Sequence, residues 1–316
     1  DSSTIIFTSG GSESNNTVLK GVSEAFPGER NHVIVSSIEH PAILEPCAYL
    51  ENHGYEVTYL PVDKRARIDP QLVAEALRPD TLLISIMHSN NEVGTLQPIK
   101  EISNLAAKHG TLVHTDASQS VGKVPVDVDG LGVDFLTVAG HKLYAPKGIG
   151  ALYVRNADVL DPLVHGADQE NGRRAGTENV PMAVGLGKAC EIANPQQEAP
   201  KLRKLRDILW RKLKQALGDD VVLNGHPDKR LPNTVNVNFV GHEAEAILRQ
   251  IPELAASTGS ACHSDRVELS PVLEAMGIDP KIGKGAIRLS TGRFTKREDV
   301  LKAAEFLVEA VNTLSQ

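Results

Sequence analysis

The sequence of 316 residues lacks several features that mark common classes of protein. Basic residues are not in excess: the formal net charge is −7, so neither a nucleic acid nor an anionic membrane is an expected partner. No apolar run approaches the roughly 18 residues of a membrane span, and no signal peptide precedes the first predicted strand. The 3 cysteines form neither a disulfide framework nor a CxxC pair, which indicates the cytoplasm or another reducing compartment.

The start of the chain is abrupt. Asp1 is followed almost directly by a core-type strand at residues 4–8, so we expect that an N-terminal part of the natural protein is missing. With 41% hydrophobic residues, a chain of this length is expected to form two domains. The polar stretch 194–197 predicts the boundary, which gives a large domain at 1–194 and a smaller one at 195–316.

Predicted strands alternate with helices of ten or so residues in the first domain. The strands are expected at residues 4–8, 32–36, 56–60, 81–87, 112–116, 136–138 and 149–154. This alternation predicts an α/β fold with a mostly parallel sheet and helices on both faces. In such sheets ligands bind beyond the carboxyl ends of the strands.

The second domain has a different pattern. A charged amphipathic helix is expected at residues 201–217, an alternating strand at 234–239, a strand at 286–290 and a closing helix at 296–314. These elements predict a small α+β domain.

A glycine turn follows the first strand. Gly10, Gly11 and Ser12 lie at the start of a predicted helix, where backbone N–H groups and the helix dipole favour an anion. The turn matches neither GxGxxG nor a Walker A loop, so it indicates a phosphate without a nucleotide. Taken alone, a turn that merely caps the helix explains it equally well.

A His-Lys pair follows the strand at residues 136–138. A lysine at this place is expected to have a desolvated stem, and such an amine can form a Schiff base with an aldehyde cofactor. The alternative from this stretch alone is that Lys142 and Lys147 are two solvated turn lysines.

Polar residues follow several predicted strands and are therefore expected on one edge of the sheet: Ser12, His40, Asn91, Asp116, Gln119 and Lys142. The chemistry that they fit is that of pyridoxal phosphate, which needs a lysine for its aldehyde, a carboxylate for its ring nitrogen and an anion site for its phosphate. His40 has an aromatic ring for stacking and a proton in the range for transfer.

Six motifs, in this order and spacing, resemble the cysteine desulfurases: TSGGSESNN, SSIEHPAI, SNNEVG, HTDASQS, GHKLYAPKGIG and RRAGTENVP. This fold-type I pyridoxal-phosphate family includes the selenocysteine lyases, and the resemblance runs from residue 4 to near residue 300. It implies a large domain with a seven-stranded sheet and a smaller C-terminal domain.

The resemblance also implies roles for individual residues. Lys142 would form the Schiff base, Asp116 would pair with the ring nitrogen and His40 would stack on the ring. The remaining cofactor contacts would come from Gly11, Ser12 and His141 at the phosphate, from Gln119 and Asn91 at the phenolic oxygen and the substrate, and from Thr177 at the phosphate of a neighbouring subunit. The last contact implies a homodimer. Where the family often has a serine two residues before the His-Lys pair, this chain has Ala139.

Cys262 lies in a loop of small residues at 257–265. From the residues alone it is a loop thiol, whereas Cys47 and Cys190 lie in helical apolar patterns and are expected to be core thiols. By the resemblance, Cys262 accepts sulfur and passes a persulfide to an acceptor or scaffold protein, as in iron–sulfur cluster assembly.

Two arginines are candidates for the substrate carboxylate. Arg288, in a predicted strand, matches the carboxylate clamp of the family, and Arg293 is a second candidate. The histidines show neither HxxxH nor HExxH spacing, so no metal site is expected.

The leading hypothesis is that the chain converts L-cysteine to L-alanine and forms a persulfide on Cys262. A selenocysteine lyase, acting on L-selenocysteine, is the first alternative, and Ala139 with the sequence ACHSD favours it. A non-catalytic protein of the same fold that serves as an assembly partner is the second.

Overall fold

The computed structural model describes residues 2–28, 30–258, 260–263 and 266–316, and only the backbone of residues 260–263 and 266–268. The chain divides into two compact units. The first contains the chain up to Pro61, Ile68–Ser89 and Gln97–Asn194. The second contains Val62–Arg67, Asn90–Leu96 and Pro195–Gln316. In the part of the chain that is described, no helix has the length and apolar character needed to cross a membrane.

The first unit contains a seven-stranded sheet. Its strands are β1 (Ile5–Thr8), β2 (His32–Ser36), β3 (Glu56–Leu60), β4 (Thr81–Ser85), β5 (Leu112–Asp116), β6 (Phe135–Ala139) and β7 (Gly150–Val154). They lie in the order β1-β7-β6-β5-β4-β2-β3, and β7 alone runs antiparallel to its neighbours. The prediction of a mostly parallel sheet is confirmed.

Helices lie between these strands along the chain: α1 (Gly11–Ala25), α2 (Pro41–Glu51), α3 (Pro70–Ala76), α4 (Ile99–Ala107) and α5 (Val128–Leu131). A further helix, α6 (Val180–Ile192), follows β7. Every residue of β2 and β4 is buried, as expected for parallel strands covered on both faces. The core between α1, α2 and the sheet is formed by aliphatic side chains such as Val18, Val35 and Ile43.

The second unit contains a four-stranded antiparallel sheet in the order β10-β13-β9-β8, and a separate two-stranded hairpin. The strands are β8 (Val221–Asn224), β9 (Thr234–Phe239), β10 (Ser257–Thr258), β11 (Ser260–His263), β12 (Arg266–Leu269) and β13 (Ala286–Ser290). The helices are α7 (Pro195–Leu217), α8 (Ala244–Arg249), α9 (Pro271–Ala275), α10 (Pro280–Gly283) and α11 (Arg297–Leu314). The backbone of Cys262 lies in β11, paired with Val267.

Helix α7 begins at Pro195, whereas the charge pattern predicts a start at Lys201. A proline at the first helical position lacks only an N–H group that has no partner there, so the polar stretch 194–197 starts the helix instead of preceding it.

Candidate active site

Asp116 is the last residue of β5, and each of its carboxylate oxygens accepts one hydrogen bond. Asn15 Nδ2 donates to Oδ2 at 2.8 Å, and the backbone N–H of Ser118 donates to Oδ1 at 2.8 Å. The structure therefore holds this carboxylate in one orientation at the carboxyl end of a central strand.

The glycine turn lies directly against this group. A Cβ atom on Gly11 would come within 3.1 Å of Ser118 Oγ and 3.4 Å of Ala139 Cβ, so a larger residue would force its neighbours apart. The first turn of α1 therefore lies beside the ends of both β5 and β6. Ser12 is exposed in this turn, where helix N–H groups favour an anion.

His141 and Lys142 lie in a short 3-10 helix, Gly140–Leu143, immediately after β6. Both side chains are exposed, so the expectation of a desolvated stem for Lys142 is wrong for this chain: the turn projects from the sheet end. The pKa of His141 is lowered by partial burial and by the positive charges of Lys142, Lys147 and Lys123. A group of cations of this kind attracts an anion such as phosphate.

Lys123 is the lysine in this group whose amine is desolvated. Burial, together with the nearby charge of Lys142, lowers its pKa to about 8. Its Nζ donates to the carbonyl oxygen of Gln119 at 2.9 Å. Gln119 is half-buried, three residues after Asp116. Sequence reasoning missed Lys123, although it lies one helical turn after Gln119.

His40 precedes α2 and caps it. Its Nδ1 accepts a hydrogen bond from Ala42 N at 3.0 Å, so the neutral ring carries its proton on Nε2. The ring is exposed.

Glu39, the preceding residue, is buried and was not singled out from the sequence. Burial raises the pKa of this carboxyl to about 8, and the charge of Asp116 adds to the increase. The signal available in the sequence was a carboxyl residue in the motif SSIEHP, shortly after the predicted strand at residues 32–36.

Thr177 is exposed in the loop before α6 and lines a cavity of about 260 Å³ together with Ser9, Ile149 and Arg174. Arg174 Nε pairs with Glu13 Oε1 at 2.9 Å, an ion pair that joins this loop to α1. The predicted role of Thr177 toward a neighbouring subunit remains a prediction.

Asn91 belongs to the second unit, and its predicted role at the cofactor and the substrate remains a prediction. Residues 90–96 are held there because Arg230 Nη2 donates to Val93 O at 2.9 Å and Asn236 Nδ2 donates to Glu92 O at 3.2 Å. Sequence reasoning assigned Asn91 by its place after β4 and had no signal for these long-range bonds.

Arg288 lies beside Asn91 in the second unit. Its Nη1 donates to Asn91 O at 2.9 Å, and its Nη2 donates to Ser257 Oγ at 3.0 Å. Arg293, the second carboxylate candidate, instead forms an ion pair with Glu198 at 2.6 Å in which both side chains are about 20% exposed. The guanidinium of Arg293 is therefore already paired with a carboxylate.

The thiols are distributed differently from the expectation. Cys47 is buried, as predicted, but Cys190 is exposed on α6, because that apolar helix turns much of its surface outward. The side chain of Cys262 lies outside the described residues, and its role as sulfur acceptor remains a prediction.

The residues of the first unit fit pyridoxal phosphate. They combine a carboxylate held by two hydrogen bonds, an exposed amine one strand away, and a glycine turn at a helix N-terminus beside several cations. The close approach of Gly11 to Ser118 and Ala139 brings these three features together.

Comparisons with known proteins agree with this reading. The family model of class-V aminotransferases matches residues 1–302. The chain is 47% identical to the cysteine desulfurase IscS of Dictyoglomus turgidum, over 98% of this chain and 80% of that protein. A solved NifS-like protein superposes with a TM-score of 0.90 at 37% identity, covering 100% of this chain and 83% of that one. A structure described as SspA in complex with cysteine has a TM-score of 0.81 at 40% identity, covering 93% and 83%.

Proposed function

From the premise that this chain belongs to the class-V aminotransferase family and is a pyridoxal-phosphate-dependent cysteine desulfurase, we propose how its residues divide the reaction. The substrate is L-cysteine and the product is L-alanine. The observation that carries the proposal is the approach of Gly11 to Ser118 and Ala139, which sets the anion turn beside Asp116 and the strand that leads to Lys142.

The first unit holds the cofactor. Lys142 would hold the aldehyde of pyridoxal phosphate and would move the α-proton of the substrate, and Asp116 would hold a proton at the ring nitrogen. Gly11, Ser12 and His141 would bind the phosphate, Gln119 would contact the phenolic oxygen, and His40 would stack on the ring and carry protons. When bound, pyridoxal phosphate supplies an electron sink for the bonds at the substrate α-carbon.

The second unit binds the substrate carboxylate and takes the sulfur. Arg288 is held by hydrogen bonds to Asn91 and Ser257, and its planar guanidinium group can bind the substrate carboxylate through paired hydrogen bonds. The Cys262 thiolate attacks the sulfur of the bound cysteine; the new S–S bond forms as the Cβ–S bond breaks and its electron pair stays with carbon. A proton then completes alanine, and the persulfide on Cys262 passes to a sulfur-acceptor or scaffold protein, as in iron–sulfur cluster assembly.

A homodimer completes the site through Thr177. Exposed apolar side chains on the adjacent α6 support this part of the proposal: Val180 is 61% exposed and Val184 is 67% exposed. The free thiols of Cys47 and Cys190 support work in a reducing compartment such as the cytoplasm.

The selenocysteine lyase alternative is not favoured, because the relatives are cysteine desulfurases by name. The non-catalytic alternative is not favoured for the same reason.

The test is detection of the persulfide by mass spectrometry after the cofactor-loaded protein is mixed with L-cysteine. We expect added sulfur on Cys262 with formation of alanine, and no added sulfur in Cys262→Ala or Lys142→Ala. Cys190→Ala is the matched control, since Cys190 is an exposed thiol outside the proposed site. Sulfur on Cys190, or full turnover by Lys142→Ala, would overturn the assignment.

A further inference from the structure

We propose that Asn15 is a positioning residue that holds the Asp116 carboxylate in one orientation toward the ring nitrogen of the cofactor. The inference rests on the proposed function, because Asp116 matters to the ring only if the cofactor is held as described. It adds a residue on α1 to the set that determines the protonation of the ring.

The geometry points to this role. Asn15 is fully buried on α1, and its Nδ2 donates to Asp116 Oδ2 at 2.8 Å. Ser118 N donates to the other oxygen at 2.8 Å. The two carboxylate oxygens are therefore fixed from different elements, one from a helix and one from the turn after β5. Loss of either donor would leave the carboxylate able to rotate.

The orientation of the Asn15 amide follows from its partner. If the amide were flipped, its oxygen would face the oxygen of Asp116, so the nitrogen must be the atom on that side. Within the described part of the chain, Asn15 Oδ1 is then buried without a hydrogen-bond partner. A buried acceptor without a donor destabilises a fold. The hydrogen bond that Asn15 Nδ2 donates to Asp116 explains why an asparagine occupies this position despite that cost.

Two buried titratable groups near Asp116, Glu39 and His114, are largely neutral at neutral pH, whereas the cations of the site, Lys142 and Lys123, lie on the turns that follow β6 and β5. Burial raises the pKa of Glu39 to about 8, and burial lowers the pKa of His114 to about 4. The ring of His114 is bonded to Ser85 Oγ and Thr137 Oγ1 at 2.8 Å and 3.0 Å. The amide of Asn15 and the N–H of Ser118 are the groups that the structure shows donating hydrogen bonds to the Asp116 carboxylate.

Removal of the amide has a specific chemical consequence. A carboxylate that loses a hydrogen-bond donor becomes more basic. It then competes better for the proton that it shares with the ring nitrogen, so the ring becomes less protonated. A purely structural role for Asn15 would lower stability without this change at the ring.

The experiment uses the full chain loaded with pyridoxal phosphate that is labelled with nitrogen-15, and it reads ring protonation from the nitrogen chemical shift. In Asn15→Ala we expect a shift from the protonated toward the neutral value and about tenfold weaker cofactor binding. Asn15→Asp keeps the side-chain size but donates only when protonated, so its shift gains a pH-dependent step that the wild type lacks. Asn16→Ala is the matched control, because Asn16 Nδ2 donates to the backbone of Ser12 and not to Asp116.

The outcomes separate this inference from the proposed function. If the wild type fails to bind the cofactor or shows an unprotonated ring, the proposed function fails first. If the wild type behaves as expected but both Asn15 variants keep its nitrogen shift across pH, the positioning role is wrong. Asn15→Ala combined with Asp116→Asn should shift no further than Asp116→Asn alone, and an additional shift would mean that Asn15 does not act through Asp116.

Discussion

The backbone N–H of Met87 lies 3.0 Å and 3.2 Å from the two carboxylate oxygens of Glu39, which ties the residue before His40 to the end of β4. Ser36 Oγ donates to the same carboxyl from the end of β2. The position of His40 is therefore fixed through a buried acid that joins two neighbouring strands.

This acid predicts a pH-dependent stability. The folded-state pKa of Glu39 is raised to about 8, so the folded protein binds a proton that the unfolded chain releases at lower pH. The contribution of Glu39 to the free energy of unfolding is fully present below the pKa that Glu39 has in the unfolded chain. It decreases as the pH rises from that pKa toward the folded-state pKa, and it is lost above about pH 8. We expect the melting temperature of the wild type to fall from pH 5 to pH 8 relative to that of Glu39→Gln. Glu45→Gln, on the exposed face of α2, should follow the wild type; parallel curves for wild type and Glu39→Gln would contradict the assignment.

The two carboxylate candidates are separated by matched substitutions. Arg288→Lys removes the fork geometry, so KM for L-cysteine should rise about 10- to 100-fold with a smaller change in kcat. Arg293→Lys weakens the pair with Glu198 and should lower the melting temperature while KM stays near the wild-type value. Steady-state kinetics decide the matter, and an equal rise in KM for both variants would place Arg293 on the substrate as well.

Ser270 is expected to stabilise the segment that follows the Cys262 hairpin. Its hydroxyl caps α9 by accepting from Val272 N at 3.2 Å and donates to Glu92 Oε2 at 2.5 Å. Ser270→Ala should lower stability by about 1 kcal/mol or more, seen as an earlier urea midpoint. Ser270→Thr keeps the hydroxyl and should stay close to the wild type. An unchanged midpoint in Ser270→Ala would show that neither bond contributes.

Lys123 should affect cofactor affinity in a pH-dependent manner. With its pKa lowered to about 8, the amine is charged at pH 7 and mostly neutral at pH 9. Lys123→Met should therefore weaken binding of pyridoxal phosphate several-fold at pH 7 and low salt, and less at pH 9. Equilibrium titration of the apoprotein measures this, with the exposed Lys108→Met as control. An effect that is as large at pH 9 as at pH 7 would rule out a role for the Lys123 charge.

Strand positions could be predicted because short buried runs carry a strong local signal. Leu112–Asp116 and Thr234–Phe239 were predicted with the bounds that the structure has, since glycine, proline or polar residues flank them. The place of Asp116 followed from the rule for strand ends. The start of α7 could not be predicted from the sequence, because a proline such as Pro195 can either end a loop or begin a helix.

Long-range contacts could not be predicted from local patterns. Asn15 lies within the TSGGSESNN motif, yet its bond to Asp116 spans 101 positions in the chain. The segment that contains Asn91 is held in the second unit by hydrogen bonds from Arg230 and Asn236, which lie more than 100 positions later in the sequence. The exposure of Lys142 depends on how a turn leaves the sheet, and residue type does not determine that.

The pairing of Ser257 with Arg288 limits the path of the sulfur. Cys262 follows Thr258 by so few residues that a fully extended backbone between them spans about 14 Å at most. If Cys262 takes the sulfur as proposed, its backbone stays within that distance of Thr258, the residue that pairs with Ile287 next to Arg288. The acceptor of the proposed reaction would then collect the sulfur within this radius of the proposed substrate arginine.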